Sequence, residues 1–517
     1  MAGGNEVQYP PRVSHQNEAN IVRYIQDWSL ANGLVLLSGE LNGSGIPAPV
    51  TVFPSPFSKS AFNEALLVQK GYNDIYHEIV KDEQWLLKEL SELGKYDPDF
   101  TGRLLDIHLR VQREGPSQSL TGGLFRSDYI IHSNSDKSGG QIKQVEFNTV
   151  SVSFGGLSSK LSELHNYLVA ADVYNLSIQG LPALDKNSIP ISKSLVKLSS
   201  SLAEMHKAYI TREGRDQGTA ILFVVQPGER NALDQRLLEF ELFNSHGIKS
   251  YRLTLEHART KLTKTTSGSS KLLKHVASDS EISVVYYRSG YGPSDYPTER
   301  EWSARYFLEN SHAIKCPSVL TQLSGAKKIQ QLLTDTPIFN RFAKFSKSTL
   351  EDSLVLEAKG TETIDTKDFL LKKILDTFVK IYPLDESERG LEARKLAFDS
   401  PEKFVLKPQR EGGGNNVYRR NIPSFLTSIP KKNWGAYILM ELIEPAENKN
   451  KILRMGEVYS GNVVSELGVF GGVLWDTKTG ESYLNSNSDW LLRTKLETSD
   501  EGGVAAGFGC IDSVYLV

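Results

Sequence analysis

FVLKPQREGGGNN, residues 404 to 416, runs from a short apolar stretch straight into a lysine, an arginine, an acid, three glycines and two asparagines. Phe404, Val405 and Leu406 read as a strand. The glycines Gly412, Gly413 and Gly414 let backbone N–H groups approach an anion closely, with no Cβ in the way. Lys407 adds a point charge and Glu411 a hard oxygen ligand, while Pro408, Gln409, Arg410, Asn415 and Asn416 flank them. Together they fit a loop that cradles nucleotide phosphates with a metal ligand built in; a bare Gly-Gly-Gly would serve equally as a surface turn. No GxxxxGK[ST] occurs, and no HRD or DFG elements accompany the loop, which sets aside P-loop and protein-kinase sites.

Around that stretch the chain reads as mixed α/β. Strands are predicted at 142–147 (IKQVEF), 220–225 (AILFVV), 283–287 (SVVYY), 404–407 and 437–442 (YILMEL). Phe62, Leu66, Leu67, Ile75, Ile79, Leu86 and Leu90 recur at helical spacing and predict one or two long amphipathic helices. A helix over 230–247, between two strands, outlines a small α/β unit at 213–320, flanked by 1–212 and 321–517. Thr298 and Glu301 have capping-box spacing before Trp302. The polar stretches 258–271 and 345–366 read as loops or insertions, and the lysines of the first lack the interleaved aromatics of a nucleic-acid patch.

The 517 residues allow two or three domains at roughly 150 each, and 39% hydrophobic with 23% charged residues is ordinary globular composition. Lysine plus arginine number 59 and aspartate plus glutamate 62, so a net charge of -3 gathers neither nucleic acid nor anionic lipid. No apolar run approaches the ~20 residues of a membrane span, and MAGGNEVQYPPRV lacks signal or transit character, so the expected location is the cytosol. Cys316 and Cys510 are too few for a disulfide framework or thiolate cage and are read as structural. No internal repeat is visible.

Other motifs gain meaning from company. In VEFN, strand alternation puts Glu146 and Asn148 on one face, and with Glu411 they make a set of oxygen ligands suited to magnesium on a triphosphate. Taken alone, VEFN reads better as an amphipathic strand with a polar outer face. Arg126 in FRSDY, with Ser151 and Ser153 in SVSFGG, could grip a carboxylate or phosphate, although a lone Arg126 is more often a surface ion pair. The same holds for Arg288 in YYRSGY, Asn231 and Gln235 in ERNALDQR, and Arg493 and Lys495 in LLRTK. DEGGVAAG, residues 500–507, fits a loop that closes on a small ligand, or equally a tight turn between strands.

In order, FRSDY, VEFNTVSVSFGG, ERNALDQR, YYRSGY, SGAKKIQQ, KPQREGGGNN, YILME, SELGVFG, LLRTK and DEGGVAAG resemble the eukaryotic glutathione synthetases, from about residue 126 to the C-terminus. The resemblance implies an ATP-grasp fold with an inserted smaller α/β substrate-binding domain and a glycine-rich lid. It implies an ATP-dependent ligase, commonly a homodimer, that joins γ-glutamylcysteine to glycine. By that resemblance Glu146, Asn148 and Glu411 hold magnesium, in two ions with ATP. Lys327 and Lys407 contact the phosphates. Met440, Glu441, Leu442, Ile443, Glu466 and Lys495 surround adenine and ribose, joined by Ile130, Tyr418 and Glu501. Arg126, Ser151, Val152, Ser153, Glu229, Asn231, Gln235, Arg288, Ser289, Gly290 and Tyr291 bind the dipeptide. Arg493, Val504 and Ala505 lie at the glycine end, and Arg126, Lys407 and Arg493 carry catalysis.

The implied chemistry suits these side chains. A carboxylate is a poor electrophile, so amide formation needs an acyl phosphate, whose developing charge metal and fixed cations neutralise. Closure of glycine-rich segments would keep water from that intermediate. By resemblance, Ala505 and Ala506 favour glycine over the β-alanine used by homoglutathione-type relatives. A relative without catalysis would have no need of all three metal ligands.

Overall fold

The computed structural model describes residues 9–39, 43–133, 140–176, 184–214, 218–268, 270–357, 365–409, 416–499, 502–504 and 507–517, with side chains of 354–357 excluded. Among them, thirteen strands form one large sheet and four form a small antiparallel one. The large sheet is built on Leu120–His132, Glu457–Asp476 and Ser482–Leu496, paired antiparallel. On its other edge, Leu120–His132 meets Ile314–Cys316 near its start and Gln141–Asn148 along the rest. Thr219–Val224, Lys249–Leu253, Glu281–Tyr287 and Ile314–Cys316 extend the sheet in parallel, the β-α-β pattern predicted for 213–320. The small sheet orders Ile381–Pro383, Tyr437–Glu441, Phe404–Pro408 and Val417–Tyr418.

The five predicted strands lie within one or two residues of observed ones: Gln141–Asn148, Thr219–Val224, Glu281–Tyr287, Phe404–Pro408 and Tyr437–Glu441. The amphipathic stretch forms the helices Lys59–Lys81 and Glu83–Tyr96. Helix Ala232–His246 ends at Gly247, whose φ of 68° is left-handed and free of the Cβ penalty. Thr298 and Glu301 form the capping box, the Glu301 carboxylate accepting from the Thr298 N–H at 2.9 Å.

Two loop expectations fail. Residues 258–271 hold the end of helix Leu255–Lys261 and most of the hairpin Leu262–Ser267 with Ser270–His275. The hairpin extends one margin of the large sheet and is stabilised by backbone ladder bonds and threonine, so it carries little apolar periodicity. Within 345–366, Lys347–Glu357 is helical. Its start is tied down by Asp74 from another helix, which accepts from Ser346 N at 2.9 Å and Thr349 Oγ1 at 2.7 Å. A long-range cap of that kind leaves no local signature.

The two faces of Leu120–His132 organise the core. Phe125 and Tyr129 join Tyr72, Tyr76 and Phe147, while Leu120 and Leu124 lie with Leu157, Leu161, Leu198 and Leu202 of two helices. Gly122 and Gly472 admit the second helix, since a Cβ on them would stand 2.6 Å from Met205 Sδ and 2.2 Å from Ser201 Oγ. Cys316 and Cys510 are buried, and burial pushes both thiols up, which supports their structural reading. No helix among the described residues is long and apolar enough to cross a membrane.

Candidate active site

Alternation along Leu120–His132 carries the face of Leu120 and Leu124 onward to Arg126, Asp128 and Ile130, where polar side chains replace the packed leucines. Asp128 is fully buried and is the centre of the network. Arg126 donates to it through Nε at 2.6 Å and Nη2 at 2.7 Å. Arg493 Nη2 donates to its Oδ2 at 3.1 Å and also to Glu466, and Asn148 Nδ2 reaches the same Oδ2 at 3.1 Å. Burial raises the Asp128 carboxyl while Arg126 and Arg493 pull against it. Burial works against the Arg493 charge, yet Glu466 and Asp128 outweigh it and hold this guanidinium protonated. Gly468 lies opposite Asp128, and a Cβ there would stand 2.8 Å from Asp128 Oδ1.

Glu146 and Asn148 share a face as predicted, with Asn148 Nδ2 donating to Glu146 Oε1 at 3.2 Å. Lys327 Nζ donates to Glu146 Oε2 at 2.8 Å. Burial alone would raise the Glu146 carboxyl, but Lys327 and Lys407 hold it well below the usual range. The ladder shifts register between Asp128 and Tyr129, leaving Val145 as a bulged residue whose carbonyl accepts from Lys407 Nζ at 2.9 Å. Burial, with Lys327 nearby, pushes Lys407 down to about 8. Two ammonium groups from distant segments thus face one carboxylate.

The second group of predicted residues forms a separate, adjoining cluster. Arg288 is buried and donates to Val152 O and, at 2.7 Å, to Ser153 Oγ. Ser151 stands at a φ of 54° and its hydroxyl donates to Tyr287 O. Asp234 fixes the turn into helix Gly155–Ala170 by accepting from Phe154 N, Gly156 N and Leu157 N at 2.8, 2.9 and 3.1 Å. Asn231 Nδ2 donates to Asp234, while Glu229 accepts from Asn231 N and Gln235 Nε2. Gly290, Tyr291 and Gly292 aim their N–H groups at Asp295, and Gly290, at a φ of 89°, has a carbonyl that accepts from Gln322. Ser289 is buried within this turn. Among the described residues, buried Arg288 Nε and Asn231 Oδ1 find no hydrogen-bond partner, which suits a site completed by a polar ligand. Tyr291 and Gln409 line one small cavity with Val150 and Gln322, linking this cluster to the 404–416 segment.

On the small sheet, Met440 packs with Ile381, Val405 and Ile438, and Tyr418, Leu442 and Ile443 lean on that group. Glu441 pairs with Lys380 at 3.7 Å, and Asn416 Nδ2 donates to Tyr418 Oη at 3.3 Å. Pro408 ends the strand that carries Lys407. Glu466 lies against Arg493, and Lys495 follows two residues on along the same strand. Val504 is buried in the core, with its carbonyl accepting from Gly507 N. Arg410, Glu411, Gly412, Gly413, Gly414, Asn415, Glu501 and Ala505 lie outside the described residues.

Sequence reasoning missed Asp128, Asp234 and Asp295. The first was legible as the i+2 partner of Arg126 in FRSDY; Asp234 sits inside ERNALDQR, but nothing local there or around Asp295 reveals the backbone N–H groups each gathers. Among the described residues, no group of three or more His, Cys, Asp or Glu is placed to hold a metal ion. Glu146, held ionised, offers a carboxylate, and Asn148, with its amide N–H groups turned to Asp128 and Glu146, offers a carbonyl oxygen on the other side. Both are hard donors of the kind magnesium takes.

An α/β body, a small antiparallel sheet whose strand Phe404–Pro408 carries Lys407, and two ammonium groups facing an ionised carboxylate are the site of an enzyme that handles an anionic, nucleotide-type substrate. A family model described as "Eukaryotic glutathione synthase, ATP binding domain" matches residues 15–516. The chain is 37% identical over 512 residues to the glutathione synthetase large chain of Schizosaccharomyces pombe, covering 95% of this chain and 96% of that one. It is 35% identical to the glutathione synthetase of Homo sapiens, covering 97% and 98% of the two chains. The solved structure of a glutathione synthetase-like effector from Globodera pallida in apo form superposes at a TM-score of 0.71 over 98% of each chain, and at 21% identity it bears on the fold alone. The chain therefore belongs to the eukaryotic glutathione synthase family, and its fold is of the ATP-grasp type.

Proposed function

We propose that this protein is a glutathione synthetase, a ligase that joins the cysteinyl carboxylate of γ-glutamylcysteine to glycine at the expense of ATP, by way of an acyl phosphate. The observation that carries the reading is the convergence of Arg126, Arg493, Glu146, Asn148, Lys327 and Lys407, from five separate segments, on one buried face. Lys327, which donates to Glu146, and Lys407, which donates to the Val145 carbonyl, would neutralise transferring phosphoryl oxygens. Arg126, which commits Nε and Nη2 to Asp128, would meet an incoming carboxylate through Nη1. Arg288, Ser151, Ser153, Asn231 and Gln235 are suited to hold the dipeptide, and Arg493 the carboxylate of glycine. Glu146 and Asn148, with Glu411, would hold magnesium, which when bound neutralises charge on the triphosphate. Exclusion of water falls to the segments around Gly412–Gly414 and Gly502–Gly507.

The parallel strands of 213–320 suit a substrate-binding unit between 1–212 and 321–517. A homodimer and a cytosolic location follow the family resemblance. The reading is tested by release of ADP from purified protein given ATP, magnesium and γ-glutamylcysteine with glycine or β-alanine. Release that requires the dipeptide and is faster with glycine is expected; no release with glycine, or faster release with β-alanine, contradicts it.

A further inference from the structure

We propose that Asp128 is a positioning residue that locks Arg126 and Arg493 into one rigid unit, so that the arginine of the donor carboxylate and that of the acceptor carboxylate keep a fixed relation. The proposal rests on the ligase reading. Asp128 is 0% exposed, so it cannot touch a substrate, and whatever it does it does through its neighbours. Both its oxygens are engaged: Oδ1 by Arg126 Nε at 2.6 Å, and Oδ2 by Arg126 Nη2 at 2.7 Å, Arg493 Nη2 at 3.1 Å and Asn148 Nδ2 at 3.1 Å.

Those partners belong to three different tasks: donor carboxylate, acceptor carboxylate and metal. They arrive on three different strands, and Asp128 is where they meet. Stability alone does not explain it, because a buried ion pair is often no better for a fold than apolar residues of the same volume. The backbone of Asp128 is fixed from both sides, opposite Glu146 on one strand and Gly468 on the other, and Gly468 leaves room for the carboxylate. A carboxylate is needed, because only two acceptor oxygens can take the paired edge of one guanidinium and a donor from the second at once.

The test is a kinetic comparison of wild type, Asp128→Asn, Arg493→Gln and the double variant. An asparagine has one acceptor oxygen and must turn N–H groups toward a guanidinium, so one arginine is released. Asp128→Asn is expected to lose roughly 10²-fold in kcat/KM for glycine, the size of a misplacement of about 1 Å, with the KM for ATP within about twofold of wild type. The double variant is expected to lose less than the product of the two single losses, because part of what Asp128 does is done through Arg493. A purely structural residue would lower the active fraction and leave every KM unchanged. That pattern, fully multiplicative losses, or an unaltered kcat/KM for glycine would overturn the proposal. If Asp128→Asn fails to fold, Gly468→Ala, whose Cβ would press on Asp128 Oδ1 and on the Arg126 stem, should give the same loss in kcat/KM for glycine with the KM for ATP held. Absence of dipeptide-dependent turnover in wild type would instead sink the ligase reading.

Discussion

Replacing Glu146 by glutamine should weaken both the unliganded protein and its hold on metal. Both carboxylate oxygens are in use, Oε2 by Lys327 at 2.8 Å and Oε1 by Asn148 at 3.2 Å. Glutamine offers one oxygen and an NH2, so its amide nitrogen must face a donor whichever way it turns. The substitution also removes the carboxylate that acts most strongly on Lys407, ahead of Glu466 and Asp128, and that Lys327 shares, so the two ammonium groups repel each other more. Breaking a buried pair by removing one partner costs about 3–5 kcal/mol, and this pair is largely buried, with side chains 4% and 20% exposed. The folded-state value is depressed, so the wild type draws full benefit from Glu146 above the ordinary glutamate pKa of about 4.3 and loses it as pH falls below that. Chemical denaturation without ligand should therefore place Glu146→Gln well below wild type at pH 7, with the gap narrowing in acid. Titration of activity with magnesium should shift by more than the roughly 10–100-fold seen for outer-shell partners. A folded variant with an unchanged midpoint and an unchanged magnesium requirement would refute both the ion-pair and the metal reasoning.

Lys407, pushed down to about 8 by burial and Lys327, must be charged to meet phosphates, so kcat/KM for ATP should fall as pH rises through about 8. Lys407→Arg should abolish that fall, and its persistence at the same midpoint would contradict the assignment. Asp234→Ala strands three backbone N–H groups at the start of helix Gly155–Ala170 and should cost about 3–5 kcal/mol in urea unfolding while raising the KM for the dipeptide. An unchanged KM would separate that turn from substrate binding. Asp512 is raised to about 6 by burial, against hydroxyl bonds from Ser55, Thr494 and Thr51. Its contribution is full below the ordinary aspartate value of about 3.9 and lost as pH rises through about 6, so Asp512→Asn should gain thermal stability relative to wild type between those values. Parallel melting curves across that window would contradict it.

Much of this site was legible before the fold was known, and the reasons differ by residue. Glu146 and Asn148 could be placed on one face because strand alternation is local. The strand Phe404–Pro408 announced itself by its apolar run and the loop after it. The long strands Glu457–Asp476 and Ser482–Leu496 were not outlined, because they pass from polar to apolar surroundings along their length and so lack a uniform period. The bulge at Val145 depends on pairing with Asp128 and Tyr129, and nothing in VEFN reveals it. Helix Lys347–Glu357 is fastened by Asp74, hundreds of residues away in sequence, and hairpin 262–275 by its place at the margin of the sheet. Asp128 was within reach: FRSDY places it two residues from Arg126, but an acid beside an arginine reads as an ordinary ion pair until a second arginine, Arg493, is seen to share it.

The central claim, that separate segments converge on one metal and the phosphates it neutralises, is tested most directly by a crystal structure with a non-hydrolysable ATP analogue and magnesium. Oxygens of Glu146 and Asn148 should lie about 2.1 Å from an ion that also touches the phosphates, with Lys327 and Lys407 turned to phosphate oxygens. An ion bound elsewhere, with Glu146 still paired to Lys327 and Asn148 still closed on Asp128, would contradict it.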